Sequence, residues 1–124
     1  MIIKIDAPLI VNLKQKALVS ERKRHMHIFH REPSDPVQRM INTIQPESYV
    51  RPHRHCNPDK REVFLILCGS LLVVEFNDVG AITDHVVLNY EKGIYGVEIP
   101  EKKWHTIIAL ESGTSVYELK DGPY

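Results

Sequence analysis

Residues 62–77 read EVFLILCGSLLVVEFN, and this stretch decides the fold class. β-Branched and other apolar residues fill it on both sides of Gly69, and a glycine at such a point is a turn signal. The stretch therefore predicts two short strands, Glu62–Leu67 and Ser70–Asn77. Phe64 and Ile66 share a strand face with Glu62, and we expect them to fill the interior.

Similar short apolar runs alternate with turn signals from residue 37 to the end of the sequence. About eight strands at a spacing of about ten residues predict an all-β sandwich or small barrel. Nothing in the sequence offers the βαβ alternation of a parallel sheet. The further predicted strands are Arg39–Gln45, Tyr49–His55, His85–Tyr90, Val97–Ile99, Trp104–Leu110 and Ser115–Lys120.

The N-terminal region has a different period. Asp6 is a helix-capping residue, and apolar residues then recur at Leu9, Leu13 and Ala17 with the four-residue spacing of one helix face. We therefore predict an amphipathic helix over roughly residues 7–20 that packs on another element.

A short strand is predicted in the segment His25–His30, where His25 and His27 would share a face. No linker, internal repeat or low-complexity tract divides the chain. We predict one structural domain, in which an N-terminal helix and extension (residues 1–36) pack on a barrel (residues 37–124).

The overall charge is balanced, because the 124 residues contain 16 Lys and Arg and 16 Asp and Glu. A neutral chain lacks the basic excess that nucleic-acid binding needs, so we expect no nucleic-acid partner. No apolar run approaches the roughly 20 residues that span a bilayer, and Lys4 and Asp6 interrupt the first apolar residues. We expect a cytoplasmic protein with reduced thiols and no membrane partner.

Three histidines and one acid form a candidate metal site. On a strand, His53 and His55 point to the same face, Glu62 opens the next strand, and His105 opens a later one. Three imidazoles and a carboxylate suit a divalent Fe, Mn, Ni, Zn or Co ion. The spacing leaves open whether the fold brings the four together or the histidines never meet.

Strand parity extends this site if the strand is regular through Pro52. Tyr49 and Arg51 would then share the face of His53 and line a wet pocket. There an arginine could hold a carboxylate or phosphate, and a tyrosine could donate a proton. In the alternative, a bulge at Pro52 turns both side chains outward.

These residues resemble the two motifs of the cupin superfamily. The first motif is an HxH pair, a glutamate and then a glycine, and it matches His53, His55, Glu62 and Gly69. The second is a proline five residues before a histidine, and it matches Pro100 and His105.

More of the chain is similar to one branch, the WbuC-type cupin-fold metalloproteins. The resemblance implies a jelly-roll barrel with an N-terminal α-helix and one divalent metal held by His53, His55, Glu62 and His105. It also implies a link to surface-polysaccharide biosynthesis and a homodimer. The similar segments are Val37–Arg39, Asn42, Ser48–His55, Glu98–Pro100, Trp104–Thr106 and Glu118–Tyr124.

Two functions remain open at this point. The first is a metal-dependent isomerase, epimerase or oxygenase acting on a small anionic sugar-like or nucleotide-sugar-related molecule. In it Tyr49 or a carboxylate would move a proton, and Arg51 or Arg39 would hold the anion. The second is a non-catalytic module that binds or senses a small molecule and carries a structural metal.

Overall fold

The N-terminal helix, α1, spans Ala7–Val19 in a computed structural model that describes residues 1–124. The Asp6 side chain caps it by accepting a hydrogen bond from the Leu9 backbone N–H at 3.2 Å. Leu13 and Ala17 are fully buried, because this face of the helix packs against the first two strands. The predicted amphipathic helix is present, and no helix of the structure is both long enough and apolar enough to span a membrane.

Eight strands and one short 3-10 helix follow α1. Gly69 has a φ of 80° and separates two strands, as its position in the quoted stretch predicts. The strands are β1 (Arg24–Ile28), β2 (Val37–Ile44), β3 (Glu62–Cys68), β4 (Ser70–Phe76), β5 (Ile82–Asn89), β6 (Gly96–Ile99), β7 (Trp104–Ala109) and β8 (Thr114–Asp121), with the 3-10 helix at Tyr90–Lys92.

The strands form two antiparallel sheets. One has five strands in the order β1-β2-β8-β3-β6, and the other has three in the order β5-β4-β7. This arrangement confirms the predicted all-β jelly roll with an N-terminal helix. The core lies between the sheets and consists of Ile44, Phe64, Ile66, Leu71, Val73, Leu88, Ile99, Ile107, Ala109 and Val116.

The edge strand of the larger sheet comes from the N-terminal region. β1 pairs with β2 along its whole length, from Arg24 opposite Ile44 to Ile28 opposite Met40. The short strand predicted near His25 is therefore part of the five-stranded sheet. Its side chains at Arg24 and Met26 line an open cavity of the barrel.

The predicted strand Tyr49–His55 is absent. Only His53 pairs with another strand, through an isolated bridge to His105. Pro52 has no backbone N–H to donate, which limits the ladder at this point. Residues 49–52 consequently do not follow the alternation of a regular strand.

Candidate metal centre

The four predicted ligands meet in the structure, at the mouth of the space between the two sheets. His53, His55, Glu62 and His105 each offer one ligand atom, and these atoms all lie within 4.8 Å of one another. His53 lies in an isolated bridge and His55 in a loop, whereas Glu62 and His105 lie at the starts of β3 and β7. The fold thus joins residues that are up to 52 positions apart in the sequence.

Backbone pairing sets the two histidines of the bridge side by side. The N–H of His53 donates to the carbonyl oxygen of His105 at 3.0 Å, and the reverse bond is 2.9 Å. Their ring centroids are consequently 4.4 Å apart. His55 follows two residues later, with its ring centroid 5.1 Å from that of His53.

Second hydrogen bonds fix the orientation of two rings. Nδ1 of His53 donates to the carbonyl oxygen of Arg51 at 2.8 Å, and Nδ1 of His105 donates to that of Lys103 at 2.9 Å. A carbonyl oxygen can only accept, so the hydrogen lies on Nδ1 in both rings. The Nε2 atoms are then free to bind a metal, which is the arrangement that orients histidine ligands in metalloproteins.

The centre of the site contains buried acceptor atoms without partners. Oε1 of Glu62 lies 2.5 Å from Nε2 of His55 and 3.1 Å from Nε2 of His105. None of these three atoms has a hydrogen-bond partner, and Glu62 is only 3% exposed. Two ligand atoms about 2.1 Å from one ion, at a right angle, lie about 3.0 Å apart, which matches the Glu62–His105 separation and exceeds the Glu62–His55 separation. A divalent cation therefore fits these residues and would satisfy atoms whose burial is otherwise costly.

The charges at the site act on one another. Burial raises the pKa of Glu62, but contacts with His105 and His55 outweigh it and hold the pKa well below its usual range. Burial lowers the pKa of His105, yet its contact with Glu62 leaves that pKa raised. Burial lowers the pKa of His53, which favours its neutral, metal-binding form.

A cavity of about 190 Å³ opens beside the four ligands. Apolar side chains of the core form one side, and polar side chains from β1, β2 and β8 form the other. The remaining lining residues are Arg24, Met26, Asn42, Ile44, Val50, Phe64, Ile107, Glu118 and Lys120.

Glu118 is a second buried carboxyl in this cavity, and it was not among the site residues predicted from the sequence. It is 6% exposed, and one of its oxygens accepts a hydrogen bond from the Asn42 amide at 2.5 Å. Burial, together with the nearby charge of Glu62, raises the pKa of Glu118 to about 8. The sequence signal for this carboxyl is its spacing from Lys120, because two charged residues that are two positions apart share one face of β8.

The side chains predicted to bind substrate lie outside the cavity. Tyr49 is 74% exposed and Arg51 is also exposed, whereas Val50 between them lines the cavity. The expectation that both share the face of His53 is wrong, because the chain is not a strand before Pro52. The guanidinium of Arg39 instead pairs with Asp35 at 3.1 Å, away from the metal ligands.

Comparison with known proteins supports the fold and gives a family. The sequence profile of a family described as "Domain of unknown function (DUF6016)" matches residues 5–88. No curated protein matches the sequence. Many solved structures share the fold.

Three of these structures illustrate the likeness. KdgF from Halomonas sp. is 16% identical with a TM-score of 0.62, and the match covers 83% of this chain and 82% of that chain. An RmlC-like cupin from Desulfovibrio desulfuricans is 16% identical with a TM-score of 0.58, covering 79% and 81%. A cupin-2 domain protein from Shewanella frigidimarina is 17% identical with a TM-score of 0.58, covering 87% and 89%. At these identities the likeness concerns the fold, and it confirms the predicted cupin architecture.

Proposed function

We propose that this chain, which belongs to the DUF6016 family and has a cupin fold, is a metal-dependent enzyme acting on a small anionic, sugar-like molecule. The metal would be one divalent transition ion, of Fe, Mn, Ni, Zn or Co, held by His53, His55, Glu62 and His105. The observation that carries the proposal is the set of buried, unpartnered ligand atoms beside an open cavity with one apolar and one polar side.

The donor set supports a metal of this kind. Three imidazole nitrogens and one carboxylate oxygen are borderline ligands that suit first-row divalent ions. Such an ion, when bound, polarises a carbonyl or hydroxyl oxygen of a substrate as a Lewis acid. The reaction types that we consider are isomerisation, epimerisation and oxygenation.

The protein's own residues on the cavity wall supply the polar contacts. Arg24 and Lys120 place positive charge there, and Asn42 and Glu118 offer hydrogen-bonding groups suited to hydroxyls. Phe64 and the rest of the apolar wall exclude water from one side, which strengthens electrostatic interactions with a bound molecule.

Several finer expectations rest on the resemblance or the sequence. They are the WbuC-type assignment, the link to surface-polysaccharide biosynthesis, the homodimer, the cytoplasmic location and the division at residue 37. The role of Tyr49 in proton transfer, and of Arg39 and Arg51 in anion binding, also stays a prediction. Those three side chains would need to act from outside the cavity or after a movement of the segment before His53.

Elemental analysis of the purified protein tests the metal part of the proposal. We expect about one divalent ion per chain, which His53→Ala loses and His85→Ala keeps, since His85 is exposed and is not a member of the four-ligand cluster. An unchanged metal content in His53→Ala would mean that these histidines do not hold the ion.

A non-catalytic module with a structural metal is the second candidate. The observation that favours it is the presence of four protein ligands, which could close a tetrahedral site. Incubation of metal-loaded protein with sugar phosphates, nucleotide sugars and keto acids separates the two. Turnover that requires the metal would support the enzyme. If the protein neither turns over nor binds these compounds, and four protein ligands close the coordination of the ion, the module would be supported.

A further inference from the structure

Lys120 lies in the cavity with its hydrogen-bonding capacity unused. Its side chain is only 13% exposed, and its Nζ donates no hydrogen bond within the protein. The nearest carboxylate oxygen, on Glu118, is 4.0 Å away, at the outer limit of an ion pair. Nζ lies 5.8 Å from the centroid of the Tyr124 ring, a contact that leaves its three N–H donors free, and such an ammonium is suited to receive an anionic oxygen.

The other cation of the cavity, Arg24, is partly engaged within the protein. Nη1 of its guanidinium donates to Oγ of Ser48 at 3.1 Å and to the carbonyl oxygen of Tyr49 at 2.9 Å. Both bonds hold Arg24 against the segment that leads to the ligand His53. Lys120 is therefore the cation of the cavity whose N–H donors are all unused.

The sheet places Lys120 next to the metal ligands. Lys120 lies directly opposite Glu62 in the antiparallel pair of β3 and β8. Side chains at opposed positions have Cβ atoms about 4.5–5.5 Å apart. A group bound by the ammonium would consequently lie beside an ion held by Glu62.

Charge balance selects an anion. The two carboxylates of the cavity, Glu62 and Glu118, are matched by the two cations, Arg24 and Lys120. A divalent ion held by the four ligands then leaves its own positive charge unbalanced. Protonation of Glu118 would only increase this excess, so the site favours a negatively charged molecule in either state.

Cavity size limits that molecule. The cavity has a volume of about 190 Å³. It is below the range of about 300–1,000 Å³ that holds drug-sized ligands. The walls therefore match one monosaccharide unit, and any larger group attached to it would extend out of the open side of the cavity.

We propose that the cavity takes a hydroxylated carboxylate of one sugar ring and that Lys120 binds its carboxylate beside the metal. This inference rests on the proposed metal site and narrows its substrate class. Asn42 and Glu118 then face the hydroxyls. A carboxylate fits better than a phosphate, because one ammonium suffices to meet it and no glycine-rich loop lines the cavity.

Isothermal titration calorimetry on the full-length, metal-loaded protein tests this assignment with D-glucuronate and D-glucose. The two sugars differ only at C6, which is a carboxylate in glucuronate and a hydroxymethyl group in glucose. We expect glucuronate to bind at least about tenfold more tightly, since one charge-assisted hydrogen bond has this effect. Lys120→Met should abolish the preference, Lys120→Arg should retain most of it, and the exposed control Lys92→Met should not change it.

The outcomes are distinguishable. Elemental analysis is performed on each sample, and a wild-type protein without stoichiometric metal would contradict the proposed function itself. With metal present, equal binding of the two sugars, no binding of either, or an unchanged preference in Lys120→Met would overturn the Lys120 subsite. Glucose 6-phosphate is measured in parallel, and tighter, Lys120-dependent binding of that compound would overturn the choice of a carboxylate.

Discussion

Nε2 of His105 lies 3.1 Å from Oε1 of Glu62, and both atoms are acceptors when the imidazole is neutral. The ring hydrogen is on Nδ1, which donates to the carbonyl oxygen of Lys103. Two buried lone pairs at this distance repel each other unless a positive charge lies between them. A divalent cation would supply that charge for all four ligands together.

Replacement of Glu62 by glutamine tests this relationship. The amide removes the negative charge from the ligand set, so we expect Glu62→Gln to weaken metal binding by at least about tenfold. Titration against a competing chelator measures the affinity. Glu98→Gln is the matched control, because Glu98 is exposed on the neighbouring strand β6. Equal affinities in wild type and Glu62→Gln would contradict the role of Glu62 as a ligand.

Metal binding should also raise thermal stability. A ligand that binds only the folded state at about 100 times its Kd stabilises that state by about 2.7 kcal/mol. For a chain of this size we expect a rise in Tm of about 10 °C. Differential scanning calorimetry with and without chelator measures it, and His105→Ala should show almost no rise. A similar rise in both proteins would place the binding site elsewhere.

The ion pair at the ends of β3 and β8 gives a pH prediction. The guanidinium and backbone N–H of Arg61 hydrogen-bond to Asp121 at 2.8–3.1 Å and lower the pKa of that carboxyl to about 2. The folded state therefore binds fewer protons than the unfolded state between the two pKa values. The stabilisation is present above the unfolded pKa of about 3.9 and is lost as pH falls toward 2.

Asp121→Asn removes this contribution. We expect the variant to be less stable than wild type at pH 7 by about 1 kcal/mol or less, because the pair is largely exposed. Urea unfolding from pH 7 to pH 2 should show this difference shrinking to zero at the acid end. A difference that stayed constant down to pH 2 would show that the ionised carboxylate is not its source.

The packing of the helix can be separated from the metal site. Leu13 is fully buried between α1 and the larger sheet, whereas Val11 on the same helix is 56% exposed. We expect Leu13→Ala to lower the free energy of unfolding by about 2–4 kcal/mol. Val11→Ala should change it by about 0.5 kcal/mol or less. Both variants should retain the wild-type metal content, and loss of metal in folded Leu13→Ala would show that the helix supports the site.

Strand positions were predictable where local chemistry alone determines them. The boundary between β3 and β4 follows from Gly69, whose backbone adopts a positive φ. The ligands His53, His55, Glu62 and His105 were predictable because a motif ties residue type to spacing. Their meeting depends on the long-range bridge between His53 and His105, which no local pattern contains.

Side-chain direction was the harder part. Parity holds only along a regular strand, and the segment before Pro52 is not one, so Tyr49 and Arg51 were assigned to the wrong face. On β8 the alternation is misleading, because the charged Glu118 and Lys120 point into the cavity. Their more apolar neighbours on β8, Tyr117 and Leu119, would be chosen for the interior by hydrophobicity alone.

Anomalous X-ray scattering from crystals of the metal-loaded protein tests the central claim most directly. The account predicts one strong peak within about 2.0–2.2 Å of Nε2 of the three histidines and of a Glu62 carboxylate oxygen. The peak should border the cavity of Lys120 and have a coordination position that faces it. A metal bound at another place, or a metal-saturated crystal without a peak among these four residues, would contradict the account.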